Sequence, residues 1–381
     1  MGCGASAKKD VKTDDVSSVV STEPTKVAEE ETTVMDQVET AAITGALDIV
    51  GAVGTIGGAA LSTIGHGTAA ALLTVADCAT LGMIDSIGDT RDEHFEEMRD
   101  GRDDVAAGFQ CHTHTEFYRG EPCCDKSTWM ARIPDSTNVT SMFIPGTHDT
   151  MADSGGDLAE CQSWSLKQQL ESGIRVLDLR FKHDADFMKC FHGIIDLHKD
   201  DIHDTIPVLE SFLMENPTEA IFARIKREGQ CSDHSCDFHD QLIKDITKPE
   251  LWNLRAQIFG PLSEFRGKVT LLSFGSPIKL PRQAIAVQDK YNTGDEDEKF
   301  NAIMSHAAEQ RPIDTLQISF CSAVGADGWT CFKAPGAMAY QVNKKVLDAS
   351  DKLTPGMYLF DFPGNALIDA FMQHNSKFVP K

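Results

Sequence analysis

Apolar, β-prone runs that stop on a polar residue recur along the C-terminal two thirds of this 381-residue chain, and amphipathic runs with helical spacing lie between them. The β-prone runs cover 141–145, 175–181, 187–192, 220–226, 268–274, 284–288, 315–320 and 357–362. The amphipathic runs lie near 162–172, 205–215, 238–246, 297–309, 337–349 and 364–373. Alternation of this kind points to parallel strands joined through helices. His148, Arg180, Glu228, Asp289 and Asp361 all fall at or near the C-terminal ends of different strand candidates. That is the face where barrel enzymes gather their site residues. The expected fold over 111–381 is therefore an α/β barrel of the TIM type, irregular in form.

Three of these strand ends carry unusual chemistry. Phe143-Ile-Pro-Gly-Thr-His-Asp149 is followed by Leu177-Asp-Leu-Arg180 and Phe191-His192-Gly193, giving two histidines, two aspartates and an arginine. Two imidazoles suit general base and general acid work near neutral pH. An arginine offers a fixed cation and planar donors to a phosphate. The set fits in-line phosphoryl transfer without a metal.

Further segments extend the pattern: Gln169-Leu-Glu-Ser-Gly-Ile-Arg-Val-Leu-Asp-Leu-Arg180, Ile225-Lys-Arg-Glu228, Val287-Gln-Asp-Lys-Tyr291 and Tyr358-Leu-Phe-Asp-Phe362. With Ile144-Pro-Gly-Thr-His-Asp149 and Phe191-His-Gly193, they resemble, in order, the X-type catalytic barrel of phosphatidylinositol-specific phospholipases C. The likeness runs from about Thr128 to about Phe371 and is greatest to the metal-independent bacterial and glycosylphosphatidylinositol-cleaving branch. The resemblance implies attack of the inositol 2-hydroxyl on phosphorus, releasing diacylglycerol and inositol 1,2-cyclic phosphate. It implies His148 as the base oriented by Asp361, His192 as the acid partnered by Asp149, and Arg180 on the phosphate oxygens. Asp178, two residues before Arg180, faces the same side of its strand. Inositol contacts map onto Lys226, Glu228, Asp289 and Tyr291. Calcium-dependent relatives carry acidic ligands where Arg180 stands, so neither metal nor cofactor is expected. One departure stands out. Bacterial relatives carry a basic inositol contact just after the strand matching Lys268-Val-Thr-Leu-Leu272, and here Ser273-Phe274-Gly275 follows instead.

A formal net charge of −23 argues against nucleic acid as a partner and against adsorption to anionic lipid through a basic patch. Attachment to a membrane surface must come from elsewhere. Met1-Gly2-Cys3-Gly4-Ala5-Ser6 matches a myristoylation pattern at Gly2, with Cys3 placed for palmitoylation. Two acyl chains anchor stably where one is marginal. Residues 1–40 read as an acylated, disordered tether on the cytosolic face. Residues 41–110 read as a Gly/Ala-rich helical, membrane-associating segment with a charged linker at 89–104. The stretch 49–76 lacks Asp, Glu, Lys and Arg, holds Gly54 and Gly58 at close-packing spacing, and admits three readings: an interfacial or self-packing helix, a bilayer span, or a Gly/Ala-rich appendage against the barrel.

Eleven cysteines fit either reduced cytosolic thiols or an extracellular disulfide framework. Cys231, His234, Cys236 and His239 resemble zinc ligands, although their spacing suits no common finger; a mobile loop or a Cys231–Cys236 disulfide are the other readings. Cys123-Cys124 offers a further acylation site, and Asn138-Val139-Thr140 is a glycosylation sequon. The functions to be weighed are a phospholipase C acting on phosphatidylinositol or its glycosylated form, an inactive tethered barrel binding the same lipid, and a metal-dependent phosphodiesterase acting on glycerophosphodiesters or sphingomyelin.

Overall fold

The structure is a computed structural model that describes residues 114–380, apart from 157–158, 185–186, 194, 198–200, 229–237 and 327–331. Gly2, Cys3, the boundaries near 40 and 110, the stretch 49–76, Cys231, His234 and Cys236 lie outside the described residues. No helix among the described residues is long and apolar enough to cross a membrane.

The strands are β1 Phe143–Thr147, β2 Val176–Asp184, β3 Phe187–His192, β4 Ile195–Asp196, β5 Ala220–Arg227, β6 Trp252–Asn253, β7 Lys268–Leu272, β8 Ile285–Gln288, β9 Leu316–Phe320, β10 Gly325–Ala326, β11 Phe332–Lys333 and β12 Gly356–Phe360. The helices are α1 Leu166–Glu171, α2 Ile202–Glu215, α3 Phe238–Asp245, α4 Glu296–Ala308, α5 Pro335–Asp348 and α6 Asn365–Gln373. Capping sets several boundaries. Ser165 and Gln168 form a reciprocal capping box that starts α1. Asp295 accepts from the amides of Asp297 and Glu298 at the start of α4. Asn138, from the sequon, caps a 3₁₀ turn over Val139–Ser141, which delays β1 to Phe143.

The main sheet runs β6-β7-β5-β2-β1-β12-β9-β8, with every pairing along it parallel. Among the described residues no ladder joins β6 to β8, so the barrel stays open on that side. Alternation along each strand gives the interior its layers. Ile144, Val176, Phe222, Leu272, Ile318 and Leu359 pack together as the inner core, plugged from below by Met130, Ile133 and Phe265. Outward residues such as Leu177, Leu179 and Ala223 pack under α1 and α2. Phe143, Tyr358 and Phe360 pack under α5 and α6. Gly146 permits the closest approach in the sheet: a Cβ there would lie 2.6 Å from Val176 Cβ and 2.8 Å from its carbonyl oxygen.

Two expectations need correction. The run 187–192 is a strand, but it pairs antiparallel with β2 as an outer hairpin and is not a barrel strand. The strand that takes its place in the barrel is β6, only two residues long and without a periodicity of its own. The hairpin arises because β2 continues to Asp184, beyond the reach of its parallel neighbours, and its exposed edge is paired by the returning chain.

Below the site, a fully buried Arg175 ties the barrel floor. It donates to Glu219 Oε2 from Nε at 3.0 Å and from Nη2 at 2.8 Å, and to the carbonyls of Leu170, Ile174 and Ser127 at 2.7, 2.8 and 2.8 Å. Glu219 also accepts from the Met130 amide at 3.1 Å. Removing one partner of such a pair leaves a dry charge unbalanced. Glu219→Ala should therefore cost about 3–5 kcal/mol in chemical denaturation. The double variant Arg175→Met with Glu219→Leu should cost clearly less, and equal losses would contradict this account.

Candidate active site

The inward stripe on each strand changes from apolar to charged as it rises: Val176, Asp178, Arg180 on β2 and Phe222, Arg224, Lys226 on β5, with Asp178 level with Arg224 and Arg180 level with Lys226. Ile144, Gly146 and His148 follow the same stripe from β1, as do Met357, Leu359 and Asp361 from β12. His148 and Asp361 stand just past the ends of these neighbouring strands, and the His148 amide donates to the Phe360 carbonyl at 3.0 Å.

His148 is held at both ring nitrogens. Nδ1 lies 2.8 Å from Asp361 Oδ1, and Nε2 lies 2.6 Å from Arg180 Nη2. A guanidinium can only donate, so Nε2 is the unprotonated nitrogen and Nδ1–H donates to Asp361. Burial, and then the Arg180 charge, push the His148 pKa well below its usual range, so the ring rests neutral. Burial likewise pushes Asp361 up.

Arg180, 5% exposed, is surrounded by carboxylates. Asp178 Oδ2 lies 3.0 Å from its Nε and 2.9 Å from Nη2, while Nη1 lies 3.3 Å from Glu228 Oε1 and 3.4 Å from Asp149 Oδ2. Burial alone would raise Asp178, but the guanidiniums of Arg180 and Arg224 outweigh it and hold it below the usual carboxylate range. Burial pushes Asp149 up to about 6 in spite of Arg180 and His192. Neither oxygen of Asp149 accepts a hydrogen bond from the described residues.

The β2–β3 hairpin delivers His192. Pairing of Phe181 with Cys190 leaves His192 folded back toward the level of Arg180. Its Nδ1 donates to the Ala159 carbonyl at 2.7 Å, and its Nε2 faces Asp149 Oδ2 at 3.6 Å. Sequence reading placed His192 at a strand end; the end belongs to the antiparallel hairpin.

The four residues mapped to the headgroup divide. Lys226 Nζ lies 3.2 Å from Glu228 Oε1, and both join the Arg180 cluster. Asp289 is exposed just beyond β8, and Tyr291 is half-buried. Lys299 holds that side of the rim: its Nζ donates to the Lys290 carbonyl at 2.8 Å. Burial lowers its pKa, while Asp289, Cys321 and Asp361 pull the other way.

Several residues absent from the sequence reading support the site. Gln162 Nε2 donates to the carbonyls of His148 at 2.6 Å and Phe360 at 3.0 Å, bridging the two strand ends. Asn343 donates to the Asp361 carbonyl at 2.9 Å. Asp149 and Phe362, the residues directly after His148 and Asp361, have φ of 41° and 44°. Side chains other than glycine rarely adopt this region, and such residues persist only when their surroundings force them. Here the Arg119 guanidinium lies 3.9 Å over the Phe362 ring, and the Phe362 amide donates to the Cys161 carbonyl at 2.8 Å.

Cys161 lies between both pairs: its Sγ is within 4.8 Å of donor atoms of His148 and Asp361, and of Asp149 and His192. These groups could in principle hold a metal ion. Burial keeps the Cys161 thiol protonated, however, and the Arg180 cation already sits against both His148 and Asp149. Among the described residues no disulfide forms: Cys123 and Cys124 are exposed, and Cys161, Cys190 and Cys321 are buried thiols. His239, from the zinc-like cluster, sits on α3.

No family model matches the chain. It is 31% identical over 275 residues to a 1-phosphatidylinositol phosphodiesterase of Listeria monocytogenes, covering 65% of this chain and 84% of that protein. It is 23% identical over 278 residues to a protein of the same name from Staphylococcus aureus, covering 62% of this chain and 88% of that one. Among solved structures, phosphatidylinositol-specific phospholipase C from Listeria monocytogenes matches with a TM-score of 0.56 at 30% identity, over 65% of this chain and 98% of that one. The fold also matches a Staphylococcus aureus phosphatidylinositol-specific phospholipase C with a TM-score of 0.55 at 19% identity, over 65% and 98%. With the parallel barrel and this rim of paired histidines and aspartates, the chain belongs to the bacterial-type phosphatidylinositol-specific phospholipase C family.

Proposed function

We propose that the protein cleaves phosphatidylinositol as a phospholipase C, with the inositol 2-hydroxyl as the nucleophile. One observation carries this reading: His148 presents an unprotonated Nε2 beside Arg180 while Asp361 holds its other nitrogen. An incoming 2-hydroxyl gives its proton to Nε2, and the Asp361 carboxylate stabilises the imidazolium that forms. Arg180 turns to the non-bridging oxygens and stabilises the charge that develops on phosphorus. His192, whose Nδ1 is committed to Ala159, delivers a proton from Nε2 to the departing glycerol oxygen, with Asp149 alongside. The 2-hydroxyl is already tethered to the phosphate, so attack has an intramolecular advantage. A glycosylphosphatidylinositol whose 2-hydroxyl is free fits the same chemistry. Lys226 and Glu228 offer donors and acceptors to the ring hydroxyls. Acylation at Gly2 and Cys3 fits an enzyme whose net charge repels anionic bilayers.

The decisive assay incubates the full chain with phosphatidylinositol, and separately with a glycosylphosphatidylinositol, in the presence of chelator, and follows cyclic phosphate by phosphorus NMR. Cleavage should survive chelation, and His148→Ala or His192→Ala should lose about 10²–10⁴ in rate. Arg180→Lys should be severely impaired, because an ammonium cannot make the planar two-point contact. Turnover that requires calcium would overturn the reading.

Asp149 provides a second test. Its pKa rises from 3.8 to about 6 on folding, so between those values the folded protein holds a proton that the unfolded chain has lost. Stability therefore falls as pH rises through that window. Asp149→Asn should stabilise the fold at pH 8 by roughly 3 kcal/mol, the advantage should vanish below about pH 4, and cleavage should collapse at every pH. A stability gain independent of pH would refute the assignment.

Membrane attachment is tested by labelled fatty acid. Gly2→Ala should abolish myristate incorporation and move most of the protein to the soluble fraction. Unchanged membrane binding would sink that part of the proposal.

A further inference from the structure

Arg224 was not singled out by its motif, yet it sits in the inner layer of the barrel directly beside Asp178. The two residues are register partners across β2 and β5, and Arg224 Nη1 lies 3.3 Å from Asp178 Oδ1. Asp178 thus holds one guanidinium on each oxygen: Arg224 on Oδ1, and Arg180 on Oδ2 at 3.0 Å from Nε and 2.9 Å from Nη2. Arg224 is 7% exposed, as are Lys226 at 7% and Arg180 at 5%, so it belongs to the same dry floor.

The seat of Arg224 includes the turn that follows β7. On its other side Arg224 pairs with Leu272, the last residue of β7, and the chain then turns through Ser273-Phe274-Gly275. The Arg224 Cζ lies 5.0 Å from the Phe274 ring centroid and 5.6 Å from that of Phe320. Phe320 meets the His148 ring edge-on at 5.9 Å. Gly275 has φ +55°, and a Cβ there would lie 2.8 Å from Arg224 Nη2. A glycine is thus required twice over, for the backbone and for the guanidinium. Two aromatic faces compensate a cation that has left water.

We propose that Arg224 is a positioning residue for phosphate binding: clamped by Phe274, Phe320 and Gly275, it fixes the Asp178 carboxylate and so aims Arg180 at the phosphorus. The inference rests on the function proposed above and adds a residue to it. Asp178 Oδ2 also accepts from the Asp149 amide at 3.3 Å, but with that oxygen alone held the carboxylate can still swing about it. With Oδ1 tied to β5, Oδ2 has one place to be, and Arg180 is aligned on it from two nitrogens. This makes the aim of Arg180 depend on a side chain that touches neither His148 nor Asp361.

The test compares the wild-type chain with Arg224→Met and Gly275→Ala on phosphatidylinositol and on the two diastereomers of its phosphorothioate analogue. Gly275→Ala leaves every charge in place while it strains the turn and displaces the guanidinium, so with its melting temperature measured alongside it speaks even where Arg224→Met fails to fold. In both variants kcat should fall, by about 10²-fold for Arg224→Met, with KM within about two-fold of wild type. The preference for one phosphorothioate diastereomer should shrink by about ten-fold, because that preference reads where the Arg180 donors point. A lower melting temperature with unchanged kcat and diastereomer preference would reduce Arg224 to a packing residue and overturn the proposal. A raised KM with unchanged kcat would make it a headgroup contact and overturn it too. Failure of wild-type protein to release diacylglycerol would instead defeat the function proposed above, and is read separately.

Discussion

The organisation of the rim follows from one costly object, a guanidinium almost out of water. Arg180 carries its charge to the floor of the barrel mouth, where isolated cations are strongly disfavoured. The site satisfies it from three strands: Asp178 on its own strand, Glu228 just past β5, and Asp149 just past β1. Its remaining donor finds the lone pair of His148. Because those partners come from separate strands, the register of β1, β2 and β5 is fixed by the charge as much as by the apolar layers below. The floor repeats the solution with Arg175 and Glu219, and that pair serves structure alone. The two buried arginines differ in what lies above them: Arg175 is sealed by main-chain carbonyls, whereas Arg180 faces groups that can exchange it for a phosphate.

Much of this was legible in the chain. Period-two alternation carries Asp178 and Arg180 to one face, and a polar residue ending an apolar run marks the rim. That logic marked His148, Arg180, Glu228 and Asp361 without coordinates, and with them Asp289, which is exposed beyond β8; Lys226 came only from the family resemblance. It failed where the chemistry lies outside an alternating run. The two-residue β6 has too few residues to show a period, and the run 187–192 looks like any other strand because nothing local records the sense of its pairing. Arg224 was legible as a charge on an inward position, but its ion pair depends on register, and register depends on strand order. Gln162 and Cys161 belong to the connection before α1, and only the folded rim reveals that they meet His148 and Asp361.

Strain is concentrated where the chemistry is. Asp149 and Phe362 each take a left-handed backbone immediately after a member of the His148–Asp361 pair. The effect is to turn the chain sharply, so that His148 faces Asp361 while its neighbour Asp149 faces His192. One dipeptide thereby serves both proton-transfer pairs. Phe362 is the harder case, since a bulky side chain resists this conformation, and its restraint comes from Tyr118 and Arg119 near the start of the described chain. The Arg119 amide donates to the Phe362 carbonyl at 3.2 Å, and the Gly364 amide donates to the Phe117 carbonyl at 3.0 Å. The segment at the start of the described chain is thus the brace of the strained turn behind Asp361.

The choice of a guanidinium also constrains which substrates this site can turn over. A bound metal ion can stabilise a phosphorane and also generate hydroxide at neutral pH. Arg180 can do only the first, because its protons are not released in any accessible range. A site built around it must draw its nucleophile from elsewhere, and the neutral His148 is suited to activating an alcohol held in place. A phosphodiester that carries its own hydroxyl next to phosphorus meets that need, since the tethered group reacts without the entropy cost of capturing water. Phosphatidylinositol has such a hydroxyl, whereas a phosphodiester of a simple alcohol such as choline has none. Headgroup selectivity at this rim is therefore partly chemical: a lipid lacking the neighbouring hydroxyl could occupy the cleft and still not react.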